Sequence, residues 1–463
     1  MEKEYLMSKK FLSQKQIVIL CLCFAIFLLA GCQKGPSSPQ QSSDDKTTSQ
    51  NSTDDNHANH GVLAILETDN GYYYNYGYSV DEAGENYVNN GMIMKHLLRY
   101  HDKASQETIL LCSKPECEHL GDDTCAATYK NLYVINTVLY QEQLFIYGLE
   151  KNEEILRLNL YRATLDGSSM DLVGTVFEAE NTTGDGFSIQ APKLLSICDD
   201  TFIIHRGYAY LPYYMRLGFA SKGFMGGGLV QMDLRTGKTK TLYEMENMNS
   251  YSPINLRGCG DYVYLDFTGT SRYVISEDRL DHTIGRGKPA FDAITEEKVY
   301  TLRNVYDKET RKSSGPITVS VYDSITGEAI PGENFETDLT NEEYLRRLRS
   351  FAYEGMLVIA TDKRVVFYDI EGDNYGTKLG EMAISADNEN VRWYIHYYEK
   401  AADVKITNGK VYLICNPTDY EATEASDVVR QGMHRLYQVY SCPVEDILKG
   451  QGAWKKAFEF QPK

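Results

Sequence analysis

Three cysteines and one histidine lie close together in the segment LLCSKPECEHLGDDTC, which runs from Leu110 to Cys125. Cys112, Cys117, His119 and Cys125 supply three thiolates and one imidazole, a ligand set that suits a tetrahedral zinc site. Cys117 and His119 are two residues apart, so their side chains point to the same side of an extended chain. The residue types therefore predict one structural zinc ion, although the spacing differs from the common zinc-finger patterns.

A local disulfide is an equally strong alternative for the same residues. Secreted chains commonly form disulfides, and Cys112 paired with Cys117 or Cys125 would close the loop. An odd number of cysteines follows Cys32, so at least one thiol stays unpaired, binds a ligand or pairs with another chain. These cysteines are Cys112, Cys117, Cys125, Cys198, Cys259, Cys415 and Cys442. The residues alone do not decide between metal, disulfide and unligated thiols.

The N-terminal segment indicates the compartment in which these cysteines act. Lys9, Lys10 and Lys15 precede the apolar run IVILCLCFAIFLLA, which extends from Ile17 to Ala30. This run is shorter than the roughly 20 residues that a membrane-spanning helix needs. A basic start followed by a short apolar run is typical of a secretory signal peptide, which we assign to residues 1–31.

The run ends in LAGC, Leu29 to Cys32, which resembles the lipobox of bacterial lipoproteins at every position. The resemblance implies that Cys32 is diacylated and becomes the mature N-terminus. Two acyl chains, at about 0.8 kcal/mol per buried methylene, hold a protein on a membrane stably where one chain does not. We therefore expect a palmitate-type anchor on the outer face of the cytoplasmic membrane.

Residues 32–60 have almost no apolar side chains beyond the lipidated cysteine. Such a segment buries too little surface to offset the entropy of ordering, so we predict a disordered tether. A flexible chain of this length reaches roughly 30 Å, at about 5–6 Å times the square root of the residue number.

Composition narrows the range of partners. The chain has a formal charge of −18, which disfavours nucleic acid and anionic lipid beyond the anchor. Cations, basic proteins and neutral glycans are easier partners. Because the chain has 36 tyrosines and only two tryptophans, any aromatic binding platform would consist mainly of tyrosine.

Residues 61–463 follow a hydrophobic period of two, which favours strands over helices. Tyr/Val/Ile-rich segments recur, and we interpret them as the inner strands of a repeat. They are NGYYYNY, EQLFIYG, DTFIIHRG, GDYVYLDF, EGMLVIAT and NGKVYLIC. Most are followed by a strand that ends in Asp and a Gly-containing turn, as in LVQMDLRTGKTKTLY from Leu229. Glycine supplies the positive φ of a tight turn, and aspartate caps it.

This repetition predicts an all-β fold, a β-propeller of about six to seven four-stranded blades. A β-sandwich or several stacked β-domains are the competing folds. One short helix is expected between Thr340 and Phe351. The lipobox, the tether, the hairpin from Tyr161 to Ser168 and the Leu111–Cys125 stretch resemble uncharacterised β-propeller lipoproteins of Gram-positive anaerobes. The resemblance implies a propeller of the low-density-lipoprotein-receptor or TolB type, and it supplies no catalytic residues.

We see no signature of nucleophilic, phosphate-loop or metal-dependent catalysis in the chain. The favoured hypothesis is a lipid-anchored binding or scaffold protein, not an enzyme, that recognises an envelope protein or glycan. The alternative is an extracellular glycan hydrolase or lyase with carboxylates near the central channel. The membrane is the other expected partner, through the N-terminal lipid anchor.

Overall fold

Antiparallel strands form seven separate sheets in this protein, and each sheet is built from consecutive strands. The computed structural model describes residues 65–80, 93–114, 116–117, 127, 132–151, 155–180, 187–190, 202–217, 225–248, 255–266, 270–281, 291–307, 312–384, 402–415 and 437–460. All of them belong to the unit Asn51–Lys463. The predicted signal peptide and tether, residues 1–60, lie outside the described residues.

The strands are numbered along the chain, and the first three sheets contain thirteen of them. Sheet 1 has β1 Ile65–Glu67, β2 Gly71–Val80, β3 Ile93–Asp102 and β4 Thr108–Leu110. Sheet 2 has β5 Leu132–Tyr140, β6 Gln143–Lys151, β7 Ile155–Thr164 and β8 Met170–Glu180. Sheet 3 has β9 Phe187–Gln190, β10 Ile203–His205, β11 Tyr208–Leu217, β12 Met225–Asp233 and β13 Thr239–Met248. In sheet 3, β9 and β10 both pair with β11.

The remaining sheets have four strands each. Sheet 4 has β14 Asn255–Cys259, β15 Tyr262–Asp266, β16 Thr270–Val274 and β17 Arg279–Asp281. Sheet 5 has β18 Ala293–Ile294, β19 Lys298–Asp307, β20 Lys312–Asp323 and β21 Phe335–Glu336. Sheet 6 has β22 Arg347–Tyr353, β23 Met356–Thr361, β24 Arg364–Asp369 and β25 Lys378–Ala383. Sheet 7 has β26 Ala402–Thr407, β27 Lys410–Cys415, β28 Tyr437–Pro443 and β29 Lys455–Phe460.

The sheets follow one another around a ring. Contacts join β5 to β10, β10 to β14, β18 to β22 and β22 to β26. Since β9 lies off the four-strand order of sheet 3, β10 counts as its first strand, and the first strands of these neighbouring sheets lie next to one another. Buried apolar clusters fill the spaces between sheets 1 and 2, 2 and 3, 3 and 4, 4 and 5, 5 and 6, and 6 and 7. These contacts account for six of the seven junctions of the ring.

None of the described strands is shared between sheets 7 and 1, and side chains of the two sheets meet where the ring closes. The Tyr72 and Tyr412 rings meet edge to face with their centroids 6.2 Å apart. Lys410 Nζ lies 3.9 Å from the buried Glu67 carboxylate, which also accepts a hydrogen bond from Lys103 Nζ at 2.7 Å. The propeller prediction is therefore confirmed, with seven blades, and the β-sandwich alternative is wrong.

Alternate side chains along the strands are buried, as the hydrophobic period of two predicts. In β20, Ile317, Val319 and Val321 are all fully buried. Strand residues on one face pack into the adjacent blade, which is why apolar period-two runs recur along the chain.

The turns that join the last two strands of a sheet have the predicted chemistry. Asp233 Oδ1 accepts hydrogen bonds from the backbone N–H groups of Arg235 at 2.8 Å and Thr236 at 3.0 Å. Gly237 in the same turn has a φ of +68°. The corresponding aspartates of sheets 1, 5 and 6 cap their turns in the same way, and they are Asp102, Asp323 and Asp369.

Two details of the sequence interpretation need correction. Most of the Tyr/Val/Ile-rich segments are second strands, such as β6, β15, β23 and β27, and not the inner strands. The first strands are often very short, as in β18, so they leave little periodic signal in the sequence. The expected helix is also shorter: α1 spans Asn341–Leu345, and Arg347 already begins β22.

A capping box explains where α1 begins. The Thr340 hydroxyl accepts from the Glu343 N–H at 3.2 Å, and the Glu343 carboxylate accepts from the Thr340 N–H at 2.9 Å. A second short helix, α2 Val444–Leu448, lies between β28 and β29 and contacts β25. Within the described residues, no helix is long and apolar enough to cross a lipid bilayer.

Candidate functional site

The segment with the predicted zinc ligands leaves sheet 1 at Leu111. Leu98 of β3 holds both ends of this segment, because its carbonyl accepts from Leu111 N–H at 2.9 Å and its N–H donates to the Ala127 carbonyl at 3.0 Å. Leu111 and Ala127 are 4% and 0% exposed. The backbone on either side of the predicted ligands is therefore fixed to one buried strand.

Leu111 also contacts the neighbouring blade. A Cβ atom at Gly167, in the turn between β7 and β8, would come within 2.4 Å of the Leu111 carbonyl oxygen. Gly167 has a φ of +68°, so glycine is required there for both space and conformation. The backbone of Leu111 therefore lies directly against the turn between β7 and β8 of blade 2.

Cys112 and Cys117 lie in the described part of this segment, and both are half-buried. His119 and Cys125 lie outside the described residues. No group of three metal-ligating side chains occurs among the residues that the structure describes. Since two of the four predicted ligands are outside that set, the zinc ion and the local disulfide both stay predictions.

We predict that Cys117→Ser separates these two alternatives. With a zinc site, metal analysis of the purified protein gives about one zinc per chain, and the substitution removes it because a three-ligand site binds far more weakly. With a local disulfide that includes Cys117, no zinc is found and the substitution exposes one additional reactive thiol. Cys442→Ser is the control, since Cys442 is fully buried in sheet 7 and contributes to neither outcome.

A second candidate site lies on the side of the ring that carries the turns between first and second strands, which we call the turn face. A cavity of about 610 Å³ opens there between blades 3, 4, 5 and 6. This volume lies within the range of about 300–1,000 Å³ that is typical of ligand pockets. The cavity is lined mainly by the ends of the first strands and by the turns that follow them.

Tight hairpins position the charged residues of this cavity. Arg206 and Gly207 both have positive φ, as do Glu354 and Gly355, which is the conformation of a type I′ turn. Glu296 and Glu297 occupy the turn of blade 5, in which Thr295 N–H donates to the Lys298 carbonyl at 2.8 Å. Because each turn is anchored by a buried strand pair, the side chains project from rigid positions.

One wall of the cavity is basic and belongs to blades 3 and 4. It contains His205, Arg206 and Arg257. Arg206 pairs with Asp261 at 2.7 Å, and His205 Nε2 lies 2.8 Å from the Gly260 carbonyl oxygen. The Ser276 hydroxyl donates to Asp261 and lowers the pKa of that carboxyl, so Asp261 stays charged opposite Arg206. Much of the basic wall is thus already compensated.

The other wall is acidic and belongs to blades 5 and 6. It contains four exposed carboxylates, which are Glu296, Glu297, Glu354 and Glu371. Within the part of the chain that the structure describes, none of the four forms an ion pair within 4.0 Å. The lysine of this wall, Lys298, pairs instead with Glu333 at 2.9 Å.

Contacts with glycines show where two of these carboxylates lie. A Cβ at Gly260 would come within 3.2 Å of the Glu296 carboxyl group, and a Cβ at Gly355 would come within 3.1 Å of Glu371 Oε2. Glu296 therefore reaches across to the turn of blade 4, while Glu371 rests on the turn of blade 6.

Two tyrosines lie at the base of the acidic wall. Tyr300 is 1% exposed, and its hydroxyl lies next to the side chains of Thr295 and Tyr375. Burial raises its pKa, and the nearby charges of Glu333 and Glu371 add to the rise, which a weaker contact with Thr295 opposes. Burial also raises the pKa of Tyr353 to about 12, with a contribution from the adjacent Glu354 carboxylate. Both hydroxyls are therefore neutral donors.

The sequence pattern did not reveal this cavity. The acidic composition and the many tyrosines are compatible with a charged, tyrosine-lined cleft, but no local motif marks any of these residues as a site. His205 and Glu371 are far apart in the chain, and only the ring brings their turns together. One signal in the sequence could have pointed to these residues, namely the turn that precedes each Tyr/Val/Ile-rich second strand. Glu354 and Gly355, for example, form the turn at the start of the segment EGMLVIAT.

The chain is therefore a seven-bladed β-propeller with a charged cavity on its turn face. No protein family model and no curated protein matches it. The propeller domain of the trilobed protease from Pyrococcus furiosus is similar with a TM-score of 0.39 and 9% identity, over 88% of this chain and 95% of that chain.

Two further solved structures are similar to this chain, with comparable TM-scores and identities. A putative 6-phosphogluconolactonase from Bacteroides fragilis has a TM-score of 0.39 and 10% identity, over 86% of this chain and 96% of that chain. A protein from Lactobacillus plantarum has a TM-score of 0.37 and 11% identity, over 85% of this chain and 100% of that chain. Similarity of this size carries no argument about function, and the fold assignment rests on the seven sheets themselves.

Proposed function

We propose that this chain is a lipid-anchored binding protein of the cell envelope that recognises an envelope protein or glycan. Cys32 would carry the acyl chains on the outer face of the cytoplasmic membrane, and residues 32–60 would act as the tether. The Cys112 segment would serve as a structural clasp for blade 1, with one zinc ion or one disulfide.

The cavity on the turn face is the observation that supports a binding role. It has the volume of a ligand pocket, and its charged side chains stand on turns that buried strands hold in place. Among the residues that the structure describes, these four carboxylates form no ion pair, and they lie around one opening, where they are available to a partner.

Affinity capture from detergent-solubilised membranes, with the tagged full-length protein, tests this function. We expect at least one envelope component to be captured by the wild type and strongly reduced with Glu354→Arg, because the substitution reverses a charge at the cavity opening. Glu336→Arg is the matched control, since Glu336 is an exposed carboxylate on β21 and does not line the cavity.

Identical capture by the wild type and both variants would contradict binding at the cavity. Turnover of an extracellular glycan by the wild type, lost in Glu354→Gln, would instead favour the alternative hydrolase or lyase, since glutamates are the residue type of that chemistry.

A further inference from the structure

The junction at which blade 7 meets blade 1 contains a row of polar side chains that crosses all four strands of blade 1. These residues are cross-strand partners in β1, β2, β3 and β4, and they are Glu67, Tyr72, His101 and Thr108. Directly opposed residues of antiparallel strands project from the same face of a sheet. The alternate residues Leu66 and Tyr73 pack between blades 1 and 2, so the polar row faces blade 7. The contact between the Tyr72 and Tyr412 rings lies on that same side.

Blade 7 places a second polar row against the first. Lys405 of β26, Tyr412 of β27 and Ser441 of β28 are cross-strand partners, and Lys455 of β29 follows at the exposed outer end. The residues that alternate with them, such as Val411, pack between blades 6 and 7. Lys405 and Tyr412 are both buried. The junction that closes the ring therefore encloses ionisable side chains from both blades.

His101 is the member of these rows whose side-chain type changes charge in mildly acidic conditions. It is 5% exposed, its Nδ1 lies 2.9 Å from the Thr108 hydroxyl, and its ring centroid is 6.2 Å from that of Tyr72. Burial lowers the pKa of His101, and the adjacent Asp102 carboxylate opposes this effect more weakly. The imidazole is therefore uncharged at neutral pH.

A proton on His101 would add a positive charge to a junction that already contains several cations. Glu67 supplies the carboxylate of the row, but it accepts a hydrogen bond from Lys103 at 2.7 Å and lies 3.9 Å from Lys410. Further cations of the junction are Arg99, which shares a face of β3 with His101, and Lys405 and Lys455 of blade 7. Burying an additional charge without a carboxylate of its own is unfavourable.

We propose that the junction between blades 7 and 1 is an acid-sensitive closure of the ring, which weakens when His101 takes up a proton. The sign follows from proton linkage. When the junction opens, His101 is exposed and titrates near the ordinary histidine pKa of about 6.5, whereas in the closed ring it takes up the proton at a lower pH. The closed state is therefore fully stable above about pH 6.5 and loses stability progressively below it.

Hydrogen–deuterium exchange with mass spectrometry, on the full-length protein in detergent, tests this closure. Protection of peptides from β1–β3 and β26–β28 is measured relative to the urea-unfolded protein at the same pH, which removes the intrinsic pH dependence of amide exchange. Below about pH 6.5, the protection should fall by up to about 10-fold per pH unit, which is the limit for uptake of one proton.

Two variants locate the group that takes up the proton. His101→Gln keeps a polar side chain next to Thr108 but cannot be protonated, so its protection at this junction should not depend on pH. His205→Gln is the matched control, because His205 is also buried but lies between blades 3 and 4, with its Nε2 2.8 Å from the Gly260 carbonyl oxygen. It should retain the wild-type pH dependence at the junction between blades 7 and 1.

Constant protection of β1–β3 in the wild type between about pH 7.5 and about pH 5.5 would overturn the proposal. An equal loss of protection in all seven blades would also overturn it, because that result indicates global acid unfolding. A pH dependence that persists in His101→Gln would show that another group takes up the proton. The comparison among blades in the wild type needs no variant, so it decides the matter even where His101→Gln does not fold.

Discussion

Replacing Arg272 with methionine is expected to lower the free energy of unfolding by about 3–5 kcal/mol, because it leaves a buried carboxylate without its partner. Arg272 in β16 and Asp281 in β17 are both only 5% exposed, and Arg272 Nη2 donates to Asp281 Oδ2 at 3.0 Å. The guanidinium also lies over the Tyr262 ring, 4.6 Å from its centroid.

Arg272 joins two blades as well as two strands. Its Nη2 donates to the Ile325 carbonyl at 2.7 Å, and its Nη1 donates to the Ser324 carbonyl, both in the last turn of blade 5. Substitution of Arg272 therefore removes its hydrogen bonds to two carbonyls and one carboxylate. Urea denaturation followed by circular dichroism gives the change in free energy.

Arg279→Met is the control for this experiment. Arg279 lies 4.0 Å from the same Asp281, but it is 54% exposed. An exposed pair contributes about 0–1 kcal/mol, so this substitution should change the stability little. If both substitutions lower the free energy of unfolding equally, the burial of Arg272 does not determine how strongly it stabilises the contact between blades 4 and 5.

Replacing Cys32 with alanine is expected to abolish fatty-acid incorporation and to shift the protein from the membrane fraction. The effect should be close to complete, because stable anchoring requires two acyl chains and Cys32 would carry both of them. Labelling of growing cells with a clickable fatty acid, followed by membrane fractionation, measures both changes.

Cys23→Ala is the matched control, since Cys23 lies within the apolar run of residues 17–30 that the signal peptidase would remove. It should leave both labelling and membrane retention unchanged. Persistent labelling of the Cys32→Ala protein would contradict the proposed lipid anchor, and the folded propeller would then need another route to the membrane.

Together, the anchor and the cavity define how this protein would work. The tether would allow the propeller to move within roughly 30 Å of the membrane surface. The turn face would present carboxylates to a partner that approaches, and the negative charge of the chain would increase the rate of encounter with basic surfaces. Neither step requires a covalent reaction.

Local chemistry made much of the fold predictable from the sequence. The period of two in ITVSVYDS places Ile317, Val319 and Val321 on one buried face, whichever fold the strand joins. Asp233 and Gly237 determine their turn by a side-chain hydrogen bond and a positive φ, both within a few residues. These effects depend on neighbours in the chain, so the sequence alone determined them.

Only the tertiary structure decided the number of blades, the closure between Tyr72 and Tyr412, and the cavity. First strands as short as Ala293–Ile294 carry too few residues for a periodic signal of their own. His205, Glu296 and Glu371 come from different blades and meet because seven sheets close into one ring. That arrangement depends on packing between distant segments, which local propensities do not encode.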